Sequence, residues 1–227
     1  MKLLLLLTVF LWSFSLMAQQ KSDDEYVATK PGVTYKVGLT SGVNAAQLRQ
    51  ELPPSLKTVN SHLLWQYNAG IALEQRFSPH VALSYQLLYS KQGSSTPVNG
   101  SGGNDKVINQ FDYISLPVML RLNRGASKFF LEVGGQGGYL LEGKGYFGSS
   151  KNQASTYHYV HRLDFGLTGG LGYKLSNHFI VDARYYYGLN PILADHTEPD
   201  PQTGIPTFYR VVKWYNRVSS LNLSYYF

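Results

Sequence analysis

The sequence predicts an all-β fold, an eight-stranded antiparallel up-and-down barrel. Three observations lead there. Apolar residues recur at every second position in eight separate segments, which is the period of a strand. The connections between segments alternate between short turns and long polar loops. The composition holds 22 Gly, 18 Tyr and 11 Phe with only 15% charged residues, a balance that favours sheet over helix. The 44% hydrophobic content excludes a disordered chain. A helical membrane protein is excluded too, because the only long apolar run is at the N-terminus.

That run is the first element. Lys2 precedes an apolar stretch over 3–16, and Ser15 to Ala18 leads into Gln19. A basic start, a short apolar core and a small residue at the cut predict a signal peptide over 1–18. A polar lead over 19–32 is expected on the periplasmic side, followed by the barrel over 33–227. The absence of Cys excludes a disulfide framework in an exported chain.

The eight strands are expected at 33–44, 65–77, 80–92, 107–123, 128–142, 160–175, 178–190 and 217–227. The fourth sets Ile114, Leu116, Val118, Leu120 and Leu122 against Tyr113, Ser115, Pro117, Met119 and Arg121. The seventh sets Phe179, Val181, Ala183, Tyr185 and Tyr187 against Asp182, Arg184, Tyr186 and Gly188. Short turns fall at 78–79, 124–127 and 176–177, and long loops at 45–64, 93–106, 143–159 and 191–216. Eight strands can close on themselves, which removes unpaired edges. Pro117 inside a strand predicts a bulge or kink.

Alternation alone does not say which face is outside. A soluble lipocalin-like carrier would turn the apolar face inward, and an outer-membrane barrel turns it outward. The polar face here is rich in Gly, Ser, Thr and Asn, which suits a crowded interior. Its charges are nearly balanced. Lys36, Arg76, Arg121, Lys174 and Arg184 are assigned inward against Glu74, Glu132, Asp164 and Asp182, as a paired interior network. Aromatics gather near segment ends, at Trp65, Tyr67, Phe77, Tyr89, Tyr139, Tyr185, Tyr187, Trp214 and Tyr215, as in interfacial girdles. Leu221, Leu223, Tyr225 and Phe227 alternate up to a terminal aromatic, a pattern that resembles the signal read by the barrel assembly machinery. The reading is therefore a transmembrane barrel of the cell outer membrane with a filled polar interior. An interior only wide enough for side chains predicts a plugged lumen.

The segments resemble a known family. The strand holding Tyr85, Tyr89, Ser90 and Gly93 is similar to the Tyr-Ser-x-x-Gly strand of the PorT-like outer-membrane β-barrel family of Bacteroidota. Tyr113, Ile114, Pro117, Val118, Leu120 and Arg121 resemble that family's Ile-Pro-Leu-Leu-Leu-Lys strand. The Gly-rich segment from Phe130 to Leu141 looks like its fifth strand. Phe165 to Tyr173, then Ala183 to Tyr185 and Gly188 to Asn190, fit the next pair. The resemblance implies a fold and an outer-membrane location. A named member serves in type IX secretion and gliding, so a component of such a complex is an alternative role. No catalytic residues carry over.

The six His are weak candidates for chemistry. His158 and His161 are three apart and on a strand face opposite sides. Asp195 and His196, with Glu198 and Asp200, form the most site-like cluster, although one polar loop accounts for them. His62, His80 and His178 sit at segment edges. The glycines over 100–103 precede no helix and are not a phosphate cradle. The expectation is a non-enzymatic structural or interaction protein with no catalytic, cofactor or metal residues. A lipid A-modifying enzyme is the catalytic alternative. Phe208, Tyr209, Trp214 and Tyr215 in the longest loop either contact a partner or complete the outer girdle, the second being preferred. Expected partners are outer-membrane lipid and lipopolysaccharide, the assembly machinery and other envelope proteins. Lys144, Lys151 and Lys213 are candidates for seating the barrel on lipid phosphates. Basic residues are scattered rather than patched, which excludes nucleic acid.

Overall fold

The computed structural model describes residues 32–51, 61–97, 106–124, 127–147, 152–156, 160–193, 196–199, 206–209 and 213–227. The chain divides into two units, Met1–Val33 and Thr34–Phe227, and the second is the barrel. The expected signal peptide and nearly all of the expected lead lie outside the described residues.

Among the described residues there are eleven strands: β1 (Thr34–Glu51), β2 (Leu64–Arg76), β3 (Val81–Pro97), β4 (Lys106–Asn123), β5 (Phe129–Phe147), β6 (Asn152–Thr156), β7 (Leu163–Lys174), β8 (Phe179–Gly188), β9 (His196–Pro199), β10 (Pro206–Tyr209) and β11 (Lys213–Tyr226). Eight of them form a closed antiparallel ring in the order β1, β2, β3, β4, β5, β7, β8, β11. β1 and β11 pair over Gly38↔Tyr226 to Glu51↔Lys213 and close it. The other three are short. β6 folds back on β5, and β9 and β10 form a separate hairpin, so parts of two expected loops are sheet.

The strands outrun their expected ends on the long-loop side. β1 continues to Glu51, β3 to Pro97 and β5 to Phe147, and β11 begins at Lys213. The physical reason is that backbone pairing outlasts the apolar band. Beyond Val43 the outward positions of β1 become Ala45, Gln47, Arg49 and Glu51, so the hydrophobic period fades while the ladder runs on.

The accessible surface is inverted relative to a soluble barrel. Leu167 and Leu171 are each 61% exposed, whereas Arg121 is 0% exposed. Apolar side chains line the outside, and Glu74, Glu132, Asp182 and Arg184 are buried.

Pro117 behaves differently from expectation. The β3–β4 register is the same on both sides of it, from Tyr85↔Val118 to Leu88↔Ser115, with the pairs between them interrupted. A residue without an N–H costs ladder bonds without shifting the strand. The bulge lies instead in β5, where Leu141 is the extra residue opposite Asp112 and Tyr113. Gly93 has φ +145°, and a Cβ there would overlap the Asn109 carbonyl. That gives the glycine of the Tyr-Ser-x-x-Gly strand a physical reason.

Candidate functional site

Among the described residues, buried charged and polar side chains converge in the interior of the barrel, which is built in layers. Nearest the short turns, Ala72, Phe130, Ile180 and Tyr226 form an apolar floor. Phe130 lies over Gly172, its direct cross-strand partner, where a Cβ would overlap the ring. Gly170 likewise leaves room for the stem of Arg184 opposite it. Inward glycines thus receive the large side chain of the neighbouring strand, a form of aromatic rescue. The predicted small interior face has this as its cause, but the individual pairings depend on register.

Above the floor lies a chain of ion pairs. Arg76 donates to Glu74 at 2.6 Å, and Arg121 bridges Glu74 and Glu132, the latter at 2.6 Å. Arg184 then bridges Glu132 at 2.8 Å and Asp182 at 2.7 Å. Three guanidinium groups alternate with three carboxylates, so the chain is neutral. Arg184 also donates to Gln86 at 2.7 Å, and Asn222 donates to Asp182 at 2.8 Å. Burying such ions costs several kcal/mol apiece, and only close pairing with extra hydrogen bonds offsets it.

The other three residues of the predicted network face inward without joining the chain. Lys36 donates to the Asn177 carbonyl at 3.1 Å. Lys174 and Asp164 have no ion-pair partner among the described residues. Asp164 is opposite Gly138 on β5, at a level where neighbouring strands supply no inward cation. It is solvated by Asn216, which donates at 2.7 Å, and by the Tyr186 hydroxyl. The expectation of charge pairing therefore fits six residues and not these three.

A polar ladder lies between the ions and the upper layer. Asn68 donates to Asn44 at 2.7 Å and to Asn222 at 3.0 Å, and Asn44 donates to Ser90 at 3.1 Å. The void left beside it is about 30 Å³, space for about one water. At the long-loop end an apolar plug of Leu48, Phe111, Tyr113, Leu140 and Ile192 closes the section. Ile192 is held there by backbone bonds to His161 and Trp214, both 2.7 Å. The sequence reading missed this plug. Leu48 and Ile192 lay in expected loops, and the only signal was an apolar Pro-Ile-Leu run inside a polar stretch.

Trp214 packs against the plug, on the same inward face as Asn216 and Val218. That corrects its assignment to the outer girdle, and the reason is strand parity. Trp65, Tyr67, Phe77 and Tyr185 are exposed on the outside, and Tyr89, Tyr139 and Tyr187 share its parity. Tyr215 points outward but is covered by Arg49, whose guanidinium is 4.2 Å from its ring centroid. Its hydroxyl donates to Glu51 at 3.1 Å. Glu51 stands beyond the apolar band, and Tyr215 and Arg49 hold its carboxylate below the usual range. Phe208 and Tyr209 fall in β10. Leu221, Leu223, Tyr225 and Phe227 are exposed on the outward face. Asp195, His158 and Asp200 lie outside the described residues, His196 and Glu198 are in β9, and His62 pairs by backbone with Ser95. His178 is in the last short turn, its Nδ1 2.8 Å from the Tyr226 carbonyl oxygen.

A model of the outer membrane protein β-barrel domain matches residues 17–194. Among solved structures, Neisserial surface protein A is similar at 13% identity and TM-score 0.47, over 86% of this chain and 99% of that one. Ail, the attachment invasion locus protein of Yersinia pestis, crystallised with the heparin analogue sucrose octasulfate, is similar at 14% identity and TM-score 0.43, over 85% and 99%. OprG from Pseudomonas aeruginosa is similar at 13% and 0.41, over 86% and 95%. No curated protein matches.

Proposed function

Because the chain belongs to the outer membrane protein β-barrel domain family, we propose that it is a non-enzymatic, closed barrel that acts as a structural or interaction protein. The carrying observation is the filled lumen. An apolar floor, a neutral ion chain, an asparagine ladder and an apolar plug succeed one another along it. Asp164 sits beneath the plug between phenols and an amide, an environment that supplies hydrogen bonds rather than a base facing a substrate.

In this reading the long-loop end faces outside the cell and the short turns face the periplasm. The β9–β10 hairpin, with Phe208 and Tyr209, would then stand among the exposed loops as a contact element for envelope partners. Epitope tags inserted at residues 101–104 and 202–204 should label on intact cells, and a tag at Asn177 should not. Labelling only at Asn177 overturns the orientation.

A second observation favours contact with lipopolysaccharide. Arg49 and Arg217 both face outward and stack on one ring, Tyr187, at 5.2 and 5.3 Å. Two cations on an aromatic platform above the apolar band suit the phosphates of lipid A. The variant Arg49→Gln/Arg217→Gln should co-purify with less lipopolysaccharide than wild type. The narrower PorT-like assignment and a role in a secretion complex are separate claims, which co-purification from detergent-solubilised membrane tests. The outward alternation of Leu221, Leu223, Tyr225 and Phe227, on the strand that closes the ring, supports recognition by the assembly machinery.

A further inference from the structure

Two cavities meet at the short-turn end, and their chemistry is that of the two halves of an amphiphile. One is an apolar crevice of about 420 Å³ on the outer surface, walled by Phe129, Leu131, Leu171, Ala183 and Leu221, with Arg124 at its edge. It is recessed where Ala183 replaces the large side chains of its neighbours. The other is a mouth of about 510 Å³, lined by Arg76, Lys128 and Lys174 with Ser127, Ser176 and Asn177. Ser127 belongs to both walls.

The mouth is a wall of donors. The Ser127 hydroxyl oxygen accepts the Phe129 N–H, and that of Ser176 accepts the N–H groups of His178 and Phe179. Both hydroxyl protons are left without an acceptor among the described residues. Lys128 and Lys174 have no ion-pair partner there either. Arg76, Arg121 and Lys36 repel Lys174, and Glu74 attracts it. Glu74 is already shared between Arg76 and Arg121. Among the described residues the mouth is therefore short of negative charge.

We propose that this end holds an anionic glycerophospholipid, its acyl chain in the Leu171–Ala183 crevice and its phosphate at Ser127, Lys128 and Lys174. A phosphate fits better than a carboxylate. Lysine ammonium groups and hydroxyls spread around a concavity suit an anion with several oxygens. A carboxylate is best met by a guanidinium fork, and the fork of Arg76 is turned onto Glu74. The proposal concerns the outer surface and the turn end, so it stands or falls independently of whether the lumen conducts.

The test is lipid retention by the full chain in detergent, read by native mass spectrometry after adding phosphatidylglycerol or phosphatidylcholine. Wild type should retain phosphatidylglycerol at least about tenfold better, a gap of about 1.4 kcal/mol. The variant Lys128→Gln/Lys174→Gln should lose that preference, and Ala183→Phe should reduce retention of both lipids. Lys106→Gln, an exposed lysine at the long-loop end of β4, should change nothing. Heat-modifiable migration on gels confirms that each variant is folded. Equal retention of both lipids by wild type, or unchanged retention by the lysine variant, overturns the proposal. So does binding of inorganic phosphate or an acidic peptide in place of phospholipid.

Discussion

Arg121 is the residue on which the interior turns. It is fully buried, contacts two carboxylates and has its guanidinium 4.5 Å from the Phe130 ring centroid. Arg121→Ala leaves Glu74 and Glu132 each with one cation in place of two. The expected loss is about 3–5 kcal/mol, measured by urea unfolding of the barrel in lipid vesicles. Arg76→Ala should cost under about 1 kcal/mol, because Arg76 is partly exposed and its carboxylate keeps Arg121. If the two variants lose the same stability, the ion chain is not the organising contact. At Glu51 the folded carboxylate is depressed relative to the unfolded chain. Its contact with Tyr215 and Arg49 is thus present above an unfolded value of about 4.3 and fades as pH falls through the folded one. Glu51→Gln should make Tyr215 fluorescence insensitive to acid across that window.

At the scale of strands, register decides what the alternating pattern leaves open. Period 2 separates Val181 from Asp182, and the small, nearly charge-balanced polar face then assigns Asp182 inside. The pattern could not show that Phe130 covers Gly172, since that pairing requires β5 and β7 to be aligned first. Gly172→Ala should destabilise by about 1–3 kcal/mol through overlap with the ring. Phe130→Ala alone should cost about 3–5 kcal/mol. Together they should cost less than their sum, by about 0.5–3 kcal/mol, because the smaller side chain makes room for the new methyl. Additive losses would show that the two residues do not meet. The same limit explains the missed strand ends and plug. Leu48 stands alone among polar neighbours and Ile192 in a short Pro-Ile-Leu run, and only the closed ring brings them together. The six members of the ion chain were legible as inward charges, whereas the separation of Asp164 from the cations of the described residues was not. Its partners Asn216 and Tyr186 are neutral and left no charge pattern to read.

For the whole molecule, the claims are that the outer face meets hydrocarbon and the lumen is closed. The first explains why a chain of 44% hydrophobic residues holds no long apolar run in its strands. Leu167→Arg near the middle of the band should cost about 2–4 kcal/mol in a bilayer, and Asn177→Arg at a turn under about 0.5 kcal/mol. The second claim is tested most directly by planar-bilayer recording of the purified, folded barrel. The layered interior leads us to expect insertion without a stable open conductance, both in wild type and in Trp214→Ala, where the floor and ion chain remain. A stable, ion-conducting open state in the wild-type protein would contradict the filled lumen and with it the structural reading of the protein.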